Sequence, residues 1–79
     1  MEANHVLDCK GLQCPVPLIQ AKRAVERLSV NEILELHTSD PGSLQDIPMW
    51  ARANGHTIVK QQTDGSTYRF WIKKGRRED

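Results

Sequence analysis

The sequence predicts an α+β fold, a two-layer sandwich in which a mixed four-stranded sheet carries two helices on one face in the order βαβαββ. Three observations predict it. "EILELHT" alternates Ile33, Glu35 and His37 against Leu34, Leu36 and Thr38, a period of two that marks a strand with one buried face. "LIQAKRAVERL" places Leu18, Ala21, Val25 and Leu28 at helical spacing. Near the end, "HTIVKQQ" and "TYRFWIKK" flank "TDGS", whose Asp64-Gly65 pair favours a tight hairpin turn.

The elements follow in order. "HVLDC" sets Val6 and Leu7 in a short polar frame and reads as the first strand. The first helix is expected from Pro15 to about Leu28 and the second strand over "EILELHT". Pro41 and Gly42 then break the chain, and Pro48 lacks the amide that a helix passing through it would donate to Leu44. A turn is therefore expected first, and the second helix only from about Ile47 to Asn54, with Asp46 as N-cap and Gly55 just past its C-terminus. The hairpin closes the fold. A right-handed crossover makes strands one and two parallel, the hairpin is antiparallel, and both helices, amphipathic on one side, cover the same face. "KKGRRED" has no apolar anchor, so disorder is expected from about residue 75.

At 79 residues the chain is a single domain, spanning 1–79, because so short a chain cannot sustain two cores. Eleven Lys and Arg against ten Asp and Glu leave a formal net charge of +1, which excludes a global pull toward nucleic acid or anionic lipid. "MEANHV" lacks the basic-then-apolar order of a signal peptide, and no apolar run approaches the ~20 residues of a membrane span. A cytoplasmic location with no membrane association is the expectation. Two cysteines, Cys9 and Cys14, are too few for a disulfide scaffold, and a reducing cytosol keeps them as thiols. The question is then their chemistry.

"GLQCPVP" sets Cys14 against two prolines at a helix start. With Cys14 as N-cap, the four N–H groups without intrahelical partners would be those of residues 14–17, and Pro15 and Pro17 have none to lose. The Val16 N–H and the positive helix end would then meet the sulfur, favour an anion and lower the thiol pKa. Gly11 lets the preceding loop turn sharply, and neither proline has a side chain long enough to cover the sulfur. Cys9 ends a strand, with no helix terminus beside it. Burial is its expected state, and at most it is a helper thiol.

"LDCKGLQCPVPLIQAKRAV" from Leu7, "DPGSLQDIP" from Asp40 and "GH" at Gly55-His56 resemble the TusA (SirA-like) sulfur-carrier family, whose pattern has L-D-x-x-G-L-x-C-P-x-P early and D-P, then D-I-P, later. The likeness covers nearly the whole chain, in order. It implies a cytoplasmic βαβαββ domain similar to the C-terminal domain of translation initiation factor three, whose CPxP cysteine carries sulfane sulfur as a persulfide. Such a sulfurtransferase is a relay, and no independent turnover is expected of this chain because nothing in it resembles a cofactor site or a general base placed beside Cys14. The relay takes sulfur from a cysteine desulfurase or rhodanese-like donor protein and hands it to an acceptor protein for tRNA thiolation, molybdenum cofactor synthesis or sulfur oxidation. By this resemblance Cys14 bears the sulfur, flanked by Pro15 and Pro17. Asn31 stands where many members have Gly, a swap that a left-handed turn tolerates, and Cys9 occupies a position the pattern leaves open.

Other readings weigh less. His5, His37 and His56 have no ligand spacing with the cysteines, so neither a metal nor a cofactor is expected. Lys10, Gln13, Arg23 and Arg27 are weak candidates for a partner-docking rim around the sulfur, and Lys22, Lys73, Lys74, Arg76 and Arg77 extend the basic set, although charge runs are usually solvated faces. Trp50, Tyr68, Phe70 and Trp71 fit a core better than a base-stacking surface. Two alternatives to the carrier are a thiol-disulfide redox switch, which needs the Cα atoms of Cys9 and Cys14 within ~7 Å, and a small nucleic-acid-binding or regulatory module, for which no basic stripe exists. The chain is expected to be a monomer that makes no direct contact with nucleic acid.

Overall fold

The computed structural model describes residues 3–76. Strand β1 (His5–Cys9) is followed by helix α1 (Val16–Glu26), strand β2 (Ile33–Thr38), helix α2 (Ser43–Ala53) and the hairpin of β3 (Thr57–Asp64) and β4 (Thr67–Lys73). The βαβαββ order and the mixed sheet are as expected. The strands lie side by side as β1-β2-β4-β3, with β1 parallel to β2 and both other pairings antiparallel.

The alternation in β2 sorts the layers. Leu34, Leu36 and Thr38 are fully buried beneath the helices, whereas Ile33, Glu35 and His37 face the other way and are only partly covered. Register carries the same division into β4, where Phe70 pairs with Leu36 and Ile72 with Leu34. From above, α1 contributes Ala21 and Val25, and α2 contributes Ile47 and Ala51, all at most 1% exposed. Trp50 and Tyr68 pack against this core from its margin, so the aromatics are largely structural. Trp71 pairs with Glu35 on the opposite face, where the Lys60 ammonium lies 4.9 Å from its ring centroid and helps to cover it.

Two boundaries depart from the sequence reading. Helix α2 starts at Ser43, not Ile47, and runs through Pro48; Asp46 lies in its first turns rather than at its cap. Pro48 removes one hydrogen bond, yet the earlier start puts Ser43, Ile47 and Ala51 on one buried face at four-residue spacing. Burying Ile47 alone is worth about 1.5–3 kcal/mol, enough to offset most of a proline penalty of about 3 kcal/mol. Helix α1 starts one residue later than expected, with Pro15 as the N-cap.

Asn31 has φ 75°, the left-handed turn that the sequence reading assigns to it. The chain end stays attached past Lys74. The Lys74 N–H donates to Glu32 and the Gly75 N–H to His56 Nδ1, and a side chain at position 75 would strike the Gly55 carbonyl. The remainder of the tail expected to lack order, residues 77–79, lies outside the described residues. Among the described residues, no helix is long and apolar enough to cross a membrane.

Candidate functional site

Cys14 sits where two connections meet at the carboxyl ends of the parallel strands β1 and β2, the end at which open α/β sheets usually present their functional groups. Cys9 ends β1 with its side chain in the core, so the chain must turn away from the sheet. Gly11 makes that turn at φ 85°, and the Leu12 N–H returns to the Cys9 carbonyl at 3.2 Å. Two bonds tie this loop to the one after β2. The Gly11 N–H donates to Ser39 Oγ at 2.8 Å, and the Cys14 N–H donates to Asp40 Oδ2 at 2.9 Å. Cys14 is thereby held at the surface, joined to Pro15 by a cis peptide bond.

The electrostatics of the thiol differ from the sequence expectation. With Pro15 as N-cap, the Val16 N–H donates to the Gln13 carbonyl at 2.9 Å rather than facing the sulfur. The thiol instead donates to Asp46 Oδ2 at 2.7 Å. That hydrogen bond, followed by slight desolvation and the negative charges of Asp46 and Asp40, holds the Cys14 thiol above the usual cysteine range rather than below it. A hydrogen bond given by S–H to a carboxylate stabilises the thiol, and nearby negative charge opposes the thiolate. In the free chain Cys14 is an exposed thiol restrained by acid groups. Pro17 is buried and supports the first turn of α1.

The other expected site residues divide. Cys9 is 1% exposed in the core cluster, and burial, then the Asp8 charge, pushes its thiol up. Lys10 and Gln13 share the loop that carries Cys14; Lys10 is exposed and paired with Asp8. Arg23 and Arg27 lie toward the end of α1 far from the Cys14 loop. They lie roughly 10 and 16 Å along the helix axis from Val16, at 1.5 Å per residue, and line a groove with Asn4, His5 and Leu7. Helical spacing put them on the right element but at its far end. Among the described residues, no three of His, Cys, Asp and Glu come together in a way that could hold a metal ion.

The sequence reading assigned no role at the sulfur to Asp40 or Asp46, the two residues that hold Cys14. The signal is present in "DPGSLQDIP", where Asp40 precedes Pro41 directly and Asp46 stands two residues before Pro48. Asp46 reads locally as an N-cap, because its pairing with Cys14 across 32 residues is decided by tertiary packing.

Comparison with known proteins agrees with this architecture. The chain is 40% identical over 75 residues to "Putative sulfur carrier protein YrkI" of Bacillus subtilis (strain 168), covering 95% of this chain and all of that protein. It is 39% identical over 75 residues to "Putative sulfur carrier protein YrkF" of the same organism, of whose length it spans 40%. The crystal structure of a SirA-like protein from Desulfitobacterium hafniense superposes with a TM-score of 0.78 over 91% of this chain and 99% of that one; at 23% identity this likeness speaks for the fold. The family described as sulfurtransferase TusA matches residues 5–74, and with one sulfur-carrier relative 40% identical along its full length, the chain belongs to the TusA family.

Proposed function

We propose that this chain relays sulfane sulfur as a persulfide on Cys14, taking it from a cysteine desulfurase or rhodanese-like donor and giving it to an acceptor protein in tRNA thiolation, molybdenum cofactor synthesis or sulfur oxidation. The observation that carries this reading is the opposite placement of the two thiols. Cys14 is exposed in the connection between β1 and α1, whereas Cys9 is 1% exposed in the core. A relay needs one accessible sulfur. In the loading step Cys14 supplies an electron pair to the terminal sulfur of the donor persulfide, and the donor's S–S pair leaves on the donor sulfur. The balance is Cys14–SH + R–S–SH → Cys14–S–SH + R–SH, so no oxidant is consumed. Hand-off is the same exchange with an acceptor thiol attacking the outer sulfur.

Nothing beside Cys14 supplies turnover on its own, so rate and direction come from docking. The surface proposed for that docking is the loop with the first residue of α1, where Lys10 and Gln13 stand with Leu12 and Val16, the last two each 39% exposed. The test is loading with radiolabelled cysteine and a cysteine desulfurase. Label is expected on wild type and on Cys9→Ala, released by dithiothreitol, and absent from Cys14→Ser. Loss of label from Cys9→Ala, with its fold retained, would replace the one-thiol relay by a two-thiol mechanism.

A further inference from the structure

The carboxylates around Cys14 have a consequence for which sulfur donors it accepts. Asp46, in the first turns of α2, takes the S–H hydrogen bond at 2.7 Å, and Asp40, just before the helix, takes the backbone N–H at 2.9 Å. Gly42 keeps the space between them narrow, since a side chain there would approach Asp40 Oδ2 at 3.2 Å and the Cys14 Cβ at 3.8 Å. These two carboxylates are the charges that act on the sulfur. Persulfide exchange adds negative charge at this spot. As the Cys14 Sγ–S bond forms and the donor S–S bond breaks, the departing sulfur leaves with the bonding pair and must take up a proton. A departing thiolate beside two carboxylates is opposed by both unless the donor brings a cation with it.

We propose that Asp46 is the positioning residue of the Cys14 reaction: it anchors the S–H and, together with Asp40, selects sulfur donors that carry a positive charge beside the reacting sulfur. The assignment rests on the reading of Cys14 as the sulfur-bearing residue. It gives the acid groups a purpose in the relay, because a thiol held by Asp46 stays quiet toward neutral or anionic reagents and responds to a partner that neutralises the carboxylate.

The test uses the isolated chain and two symmetric disulfides, cationic cystamine and anionic dithiodiglycolate, each of which forms a mixed disulfide with Cys14 and releases one thiol. Taking the ratio of the two rates cancels the fraction of thiolate. Wild type is expected to favour cystamine, the preference shrinking with added salt. In Asp46→Asn the ratio is expected to fall by about fifteenfold at low ionic strength, since one unit charge roughly 5 Å from the reagent's charge in water alters each rate by about fourfold, in opposite directions for the two reagents. Asp46→Glu, which keeps the charge, is expected to restore it. A second arm follows iodoacetamide alkylation against pH, whose midpoint is expected to move to lower pH in Asp46→Asn. An unchanged ratio, or an unmoved midpoint, would overturn the assignment. Should Asp46→Asn fail to fold, Asp40→Asn reads the same ratio with the second charge removed, and an unchanged ratio there overturns it equally. No sulfur donor enters these rates, so they succeed or fail separately from persulfide loading.

Discussion

Two cysteines five residues apart live under different physics. Cys9 is closed into the core against residues such as Leu36 and Phe70, while Cys14 stands in solvent with its proton held by Asp46. Both thiols titrate above the usual range, Cys9 through burial first and Cys14 through the Asp46 hydrogen bond first. For a group whose folded pKa is raised, the associated stability is fully present below its unfolded pKa and is lost as pH rises through the folded value. The two thiols therefore stabilise the fold at neutral pH and cease to do so in alkali. Iodoacetamide is expected to modify Cys14 alone in the folded chain, with a midpoint at higher pH than the same residue shows in urea. Peptide mapping after timed alkylation checks both points. Cys9→Ala is expected to lower stability by about 1–2 kcal/mol in chemical denaturation without slowing Cys14 alkylation.

Helix α2 shows how packing overrides local preference. Its backbone bonds begin at Ser43 although Pro48 stands inside it, because only that start brings Ser43, Ile47 and Ala51 onto the sheet together. The same start gives Asp46 its place within reach of the sulfur. Pro48→Ala restores an N–H that the Leu44 carbonyl can accept, against a gain in unfolded-chain freedom of about 0.4–1 kcal/mol. The net expectation is a more stable chain by about 2 kcal/mol, read from the urea midpoint at constant slope. A drop in stability would mean that the proline ring, half-buried in the structure, is worth more in packing than the bond it removes.

Across the whole molecule, charge and chemistry are separated. The loop carrying Cys14 lies at the carboxyl end of β1, whereas Arg23 and Arg27 line a groove beside His5, where β1 begins. On the docking surface proposed above, a partner covers Lys10, Leu12, Gln13 and Val16 and leaves the far groove free. Charge reversal at Arg23 and Arg27 together is therefore expected to leave persulfide transfer within about twofold of wild type, since these side chains line a groove at the opposite end of β1 from the Cys14 loop. Replacing Leu12 and Gln13 by Glu is expected to slow the same transfer by tenfold or so, as like charge accumulates where Asp40 and Asp46 already stand. Transfer kinetics with one donor protein, measured for both variants side by side, distinguish the two surfaces.

The sequence by itself determined the order of elements, the buried face of β2, the hairpin at Asp64-Gly65, the left-handed turn at Asn31 and the singular position of Cys14. These are local matters, written in periodicity, in turn chemistry and in the proline pair of "CPVP". It did not determine where α2 starts, what the Cys14 thiol faces or which cations lie near it. Each of those depends on residues far apart in the chain. Asp46 meets Cys14 across 32 positions, the Val16 N–H turns to Gln13, and the length of α1 carries Arg23 and Arg27 away from the sulfur. A helix start on its own favours an anionic sulfur. Only the tertiary structure, by docking a second helix with its acid against the first, decided that the sulfur keeps its proton, because a carboxylate at hydrogen-bond distance outweighs an amide that points elsewhere.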